Sequence, residues 1–126
     1  MDDDKNFPQK DISYKVIGAA FAVYNELGYG LLEKVYEKAL IIELRNSQIE
    51  AESQSALKVF YEGEVVGDYF ADIVVDGKLP IELKTCQNIC DEHVAQTLNY
   101  LKATQIEVAL IINFDPAKLK YKRLVL

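Results

Sequence analysis

The chain has 126 residues, half of them hydrophobic and 27% charged, with 20 Asp and Glu against 14 Lys and Arg for a net charge of −6. This length supports one domain around one core, and the composition excludes a disordered chain. The acidity counts against a protein that grips nucleic acid by bulk electrostatics, and no apolar run approaches a membrane span, the longest being the strand-sized 108–112.

The acidic start, Met1-Asp2-Asp3-Asp4-Lys5, is neither a signal peptide nor a basic transit peptide. Residues 1–10 read as a flexible leader and 11–126 as a single domain. Asp11 is placed to N-cap a first helix over 11–27, in which Ile12, Val16, Ala19, Ala20, Val23 and Leu27 recur at helical spacing and Gly28 is the stop. Past Tyr29-Gly30, a second helix over 31–45 would bury Leu32, Val35, Ala39, Leu40 and Leu44. Residues 49–61 then read as a strand with one polar side, 62–64 as a turn and 65–75 as a second strand. Asp76-Gly77 turns the chain into a third strand over 79–85. A third helix over 91–103 would carry Val94, Leu98 and Leu101 inward. The nearly continuous apolar run 106–114 is expected at the sheet centre, and 119–126 as an edge strand. The order α-α-β-β-β-α-β-β gives an α/β domain, a mixed sheet with helices packed on it. The locally basic stretch 118–123 reads either as a phosphate-contacting strip or, with slight preference, as an edge strand guarded by lysines. Cys86 and Cys90 are too few for a zinc site or a disulfide framework, and are expected as semi-buried structural thiols in a reducing cytoplasm.

Asp72 followed by Glu82-Leu83-Lys84 carries the chemistry. Glu82 and Lys84 share one face of their strand while Leu83 points into the core. Charge on a buried strand is costly unless it is paired or holds a metal. Two carboxylates suit Mg²⁺ or Mn²⁺, and a neighbouring lysine can orient an attacking water, which together make a site for phosphodiester hydrolysis. The competing explanation is a solvated strand face with Asp72 as an ion-pair partner. Parity decides whether the carboxylates can meet. A two-residue loop at Asp76-Gly77 would place Asp72 opposite Ile81 and turn it away from Glu82, whereas a three-residue loop, or a bulge near Pro80, restores a shared face. A three-residue loop or a bulge is therefore expected.

Two polar clusters could extend the site. Glu33 and Tyr36 lie three apart on the second helix, although a first-turn glutamate also suits the helix dipole. His93, Gln96 and Tyr100 form a stripe on the third helix that is either part of the site or a solvated face.

The stretch Gly30-x-x-Glu33-x-x-Tyr36 resembles the signature of the GxxExxY family. The segments 72–75, Ile81-Glu82-Leu83-Lys84, His93-x-x-Gln96-x-x-Asn99-Tyr100-Leu101-Lys102 and Asn113-Phe114 are similar to the same family. That family is grouped with the PD-(D/E)xK nucleases of restriction-endonuclease-like fold. The resemblance, over 11–126, implies Asp72, Glu82 and the Leu83 carbonyl as ligands of Mg²⁺ (or Mn²⁺), with Lys84 positioning water. Glu33 would be an additional helical acid at the metal, and Gln96 and Tyr100 the Gln-x-x-x-Tyr element of RecB-type nucleases. Ala71 stands where the superfamily often has proline. The implied activity is metal-dependent hydrolysis of nucleic acid, DNA favoured over RNA, by a cytoplasmic homodimer. The alternative is a non-catalytic nucleic-acid- or protein-binding module that keeps the fold.

Overall fold

A computed structural model describes residues 8–126, with only the backbone considered at Ser55. Most of the expected leader lies outside the described residues; Pro8 and Gln9 form a turn and the first helix follows at once. The elements are α1 (Lys10–Leu27), α2 (Glu33–Asn46), β1 (Ala51–Tyr61), β2 (Glu64–Val75), β3 (Leu79–Lys84), α3 (Asp91–Thr104), β4 (Val108–Phe114) and β5 (Leu119–Val125). The strands form one sheet in the order β1-β2-β3-β4-β5. Only β3 and β4 run parallel, because α3 crosses between them; the other neighbours are antiparallel.

Helices α1 and α2 cover one sheet face. Val16, Ala20, Val23, Leu40 and Leu44 pack there on Ile73, Val75, Ile81, Leu83, Leu110 and Ile112. Helix α3 covers the other, bringing Tyr100 and Leu101 onto Ala71, Ala109, Ile111 and Leu124. Strand β4 is buried along its whole length because it has helices on both sides, although it lies beside the edge strand β5 and β3 holds the centre.

The link between β2 and β3 has three residues. Val75 pairs with Leu79 and Ile73 with Ile81, leaving Asp76, Gly77 and Lys78 as the loop. Asp76 and Gly77 both adopt positive φ (53° and 65°), and the Lys78 amide donates to Val75 O at 3.0 Å. With this odd-length loop, the register carried on past Ile73–Ile81 sets Asp72 across from Glu82 and not from Ile81.

Other expectations are corrected. Helix α1 starts at Lys10 with Gln9 as its uncapped N-cap, so Asp11 sits inside the first turn and suits the helix dipole without capping. Gly28 does end α1, at φ 74°, but Leu27 is exposed. Helix α2 begins at Glu33 and buries Tyr36, Glu37, Leu40, Ile41 and Leu44, leaving Leu32 and Val35 exposed. Tyr36 sets this rotation. Its ring stacks on Phe114 at 4.1 Å and 8°. Its hydroxyl donates to Gly28 O at 2.6 Å and accepts from the Leu31 amide at 3.3 Å. The Tyr36 hydroxyl thus closes the α1–α2 turn through Gly28 and Leu31, and Tyr36 belongs to the core while Glu33 lies at the helix start.

Tyr36→Phe keeps the stack but strands the Gly28 carbonyl, so urea unfolding should show a loss of about 1–2 kcal/mol. An unchanged midpoint would mean that water replaces the hydroxyl.

Candidate active site

The β2–β3 ladder ends at Ile73–Ile81. Pro80, opposite Val74, has no N–H to give, so the hydrogen-bonded pairs are Val75–Leu79 and Ile73–Ile81. Continued, the ladder would next pair Ala71 with Leu83. Instead the strands part, and the Leu83 amide donates to Asp72 Oδ2 at 2.8 Å. A strand residue points its N–H and C=O to the same edge, so the Leu83 carbonyl also opens into this fork.

The β2 backbone turns over at this point. Tyr69 and Ala71 pack on the α3 side, while Ile73 and Val75, continuing the same alternation, pack on the α1–α2 side. Val74 packs with α3. The exchange of faces falls on Asp72.

Glu82 is partly buried beside Asp72, and its carboxyl is pushed up to about 7. Burial is the largest cause and the Asp72 charge the next; Lys84 and a hydrogen bond from the Asp72 backbone pull the other way, and Glu33 adds a smaller like-charge push. Lys84 makes no ion pair among the described residues. Glu82 and Lys84 open into a cavity of about 320 Å³ walled by Gln96, Tyr100, His93 and Tyr69, among others. Burial and the Glu82 charge raise the Tyr100 hydroxyl above its usual range. The α3 stripe therefore borders the same cavity as Glu82, with Tyr100 buried, His93 half-buried and Gln96 exposed.

Of the residues singled out in the sequence, Glu82, Lys84, Gln96 and Tyr100 share the cavity, and Asp72 and the Leu83 backbone meet at its fork. Glu33 acts on Glu82 through charge, yet among the described residues no three His, Cys, Asp or Glu side chains come together as a metal-binding group. The donor set fits a divalent ion nonetheless. Two carboxylates and a strand carbonyl are hard oxygen donors, and the two acids repel one another with the Lys84 charge as a partial offset.

Several participants carried weaker sequence signals. Asn99 continues the spacing of His93 and Gln96, and its Oδ1 accepts from the Tyr69 hydroxyl at 2.6 Å. Tyr69 in turn meets Tyr100 edge-on at 6.3 Å. Cys90 is an exposed N-cap of α3, not a semi-buried thiol: its amide donates to His93 Nδ1 at 3.3 Å and its carbonyl accepts from the Val94 amide at 3.2 Å. Cys86 is half-buried, held between both amide atoms of the Asn113 side chain. The basic stretch 118–123 lies mostly in the edge strand β5, where Lys120 pairs with Asp115 at 2.9 Å.

The raised Glu82 has a stability consequence. Between about pH 4.5 and 7 the folded chain keeps a proton that the unfolded chain has released, so stability falls as pH rises and the cost is fully present above 7. In EDTA, Glu82→Gln should therefore gain up to about 3 kcal/mol over wild type at pH 8 and almost nothing at pH 4.5, by urea unfolding. An equal difference at both pH values would show that the gain has another origin.

A family model described as the PD-(D/E)XK nuclease superfamily matches residues 10–124. Among solved structures, the crystal structure of SSO0001 aligns with a TM-score of 0.59 at 18% sequence identity. The alignment covers 90% of this chain and 60% of that one. At this identity the likeness concerns the fold. No curated protein matches the chain. The mixed five-stranded sheet is consistent with the restriction-endonuclease-like fold, and with the family match spanning nearly the whole chain, the protein belongs to the PD-(D/E)XK nuclease superfamily.

Proposed function

We propose that the protein is a divalent-metal-dependent nuclease that hydrolyses nucleic-acid phosphodiester bonds, within the GxxExxY branch of its superfamily. The observation that carries this reading is the forced approach of Asp72 and Glu82 at the end of a broken ladder, with Lys84, which makes no ion pair among the described residues, on the same side.

Asp72, Glu82 and the Leu83 carbonyl would hold Mg²⁺ or Mn²⁺. When bound, the ion supplies Lewis acidity at the phosphate and lowers the pKa of water. Asp72 is fixed for this work by the Leu83 amide, and the elevated Glu82 gains most from a cation, which favours its ionised form. Glu33 would contribute through an intervening water. Lys84 would hold the attacking water in line and offset charge on the phosphate oxygens in the transition state. Gln96 and Tyr100 would donate hydrogen bonds to the phosphate or to Glu82 across the cavity. Tyr69 and Asn99 lock each other and so stiffen the wall behind Tyr100.

A homodimer acting on DNA fits this reading, because a domain this small covers little of a duplex alone. The net charge of −6 favours the second reading, a non-catalytic binding module, since such a surface draws nucleic acid poorly. Among the described residues no helix is long and apolar enough to cross a membrane.

Calorimetry with Mn²⁺ and a cleavage screen on DNA and RNA separate the two. Lys84→Ala should keep metal binding and lose at least about a hundredfold in cleavage, while Asp72→Asn loses both. Undiminished cleavage by Lys84→Ala would remove the lysine from the mechanism. Metal uptake without any cleavage would favour the binding module.

A further inference from the structure

Glu37 is 5% exposed and has no part in the chemistry above. It lies one turn beyond Glu33, in the stripe of α2 that otherwise buries Tyr36, Leu40, Ile41 and Leu44. A carboxylate in such a stripe is costly, and an apolar side chain there would pack without that cost. Its partners are the exposed Lys34, with Nζ at 3.5 Å, and Gln54, whose Nε2 donates to Glu37 Oε1 at 3.0 Å.

Gln54 is unfavourable in its own way. It stands inside β1 at φ +53°, a left-handed conformation that costs a residue with a Cβ about 1 kcal/mol or more. The pairing of β1 with β2 shows where this happens. Ser53 pairs with Ile73 and Ser55 with Ala71, so Gln54 lies across from Asp72. That is the residue at which the β2 side chains exchange faces. One hydrogen bond thus joins a buried charge to a strained residue, opposite the carboxylate on which the site depends.

We infer that Glu37 and Gln54 are positioning residues for Asp72. The Glu37 carboxylate holds Gln54 left-handed, and the left-handed residue sets a corner in the β1–β2 ribbon. The corner turns the Asp72 carboxylate edge-on to β3, where it takes the Leu83 amide and stands beside Glu82. The catalytic importance of this placement rests on the proposed function; the placement itself does not.

The Leu83 amide is a reporter that needs neither metal nor activity. Hydrogen exchange followed by NMR on the full chain in EDTA tests the inference with three variants. Gln54→Gly suits the left-handed backbone, and so should fold, but removes the tie to Glu37. Glu37→Ala removes the acceptor, and Glu37→Gln restores it. Gln54→Gly and Glu37→Ala should speed Leu83 exchange by at least about tenfold while Ile81 and Leu110 keep their protection, and Glu37→Gln should stay close to wild type. In calorimetry the first two should also weaken Mn²⁺ binding about tenfold, with Glu37→Gln near wild type. Unchanged Leu83 exchange in both disrupting variants would overturn the inference. So would a uniform rise across the core, which is the mark of simple fold support, or a loss in Glu37→Gln as large as in Glu37→Ala. Absence of Mn²⁺ uptake by the wild type would instead count against the nuclease reading, and the Leu83 amide would still decide the corner.

Discussion

The Asp72–Leu83 hydrogen bond is the point on which the molecule turns. Parting two strands in the middle of a sheet leaves amide and carbonyl groups without partners, and an unsatisfied buried group costs about 1–3 kcal/mol. Here β2 leaves β3 directly after Ile73–Ile81, and the Asp72 side chain takes the amide that the ladder abandons. The break is tolerated because the residue at its apex carries a carboxylate. That same satisfaction fixes the carboxylate within reach of Glu82 and leaves the Leu83 carbonyl facing the opening. Fold and site are one solution to a single hydrogen-bonding problem.

The rest of the architecture keeps that opening from closing. On one side, α3 presses Tyr100 and Leu101 onto the sheet where β2 has turned over, and Tyr69 follows its new face to reach Asn99 and Tyr100. On the other, α2 is held in rotation by Tyr36, which is anchored to Phe114 and to the turn before Glu33. The division of labour within Gly30-x-x-Glu33-x-x-Tyr36 follows. The tyrosine is architectural, and it delivers the helix start, with Glu33, to the vicinity of Glu82. Beyond β3, the Asn113 side chain accepts the Cys86 amide and donates to the Cys86 carbonyl. It thereby extends the β3–β4 pairing past Lys84–Asn113 and steadies the backbone that follows the lysine.

Much of this architecture is legible in the sequence. All eight elements lie within a few residues of where periodicity and turn residues put them, because each has a strong local signature. The choice between a three-residue loop and a bulge near Pro80 was legible for a different reason: two carboxylates that are to share one ion would constrain strand parity, and parity constrains the loop; the structure takes the three-residue loop. The errors come where tertiary contacts outvote local pattern. Leu32 and Val35 looked like core because apolar spacing fits more than one phase of a short helix, and only the Tyr36–Phe114 stack, between residues far apart in sequence, selects the phase. Asp11 looked like an N-cap, yet Gln9 takes that position, two residues earlier. The face exchange at Asp72 was invisible, since Tyr69, Ala71, Ile73 and Val75 alternate as a regular strand would. Gln54 and Glu37 were missed for a related reason: polar side chains on a half-exposed strand and a helix carry no mark of strain or burial until they are packed.

The net charge of −6 fits this geometry more closely than it first suggests. Long-range attraction scales with bulk charge and is screened within about 10 Å at moderate salt, whereas contacts inside a walled cavity are screened far less. The repulsion between Asp72 and Glu82 is the feature that most opposes an approaching phosphate. It is also the feature that a divalent ion would reverse, turning the carboxylate pair into a docking point for anionic oxygen, with Lys84 beside it. On the proposed function, such a site would withhold its affinity until the ion is present and would then rely on short contacts from the cavity residues Lys84, Gln96 and Tyr100. On that reading, an acidic exterior would work as a filter against indiscriminate binding along nucleic-acid backbones and would leave selection to what fits between α3 and the turned-over edge of β2.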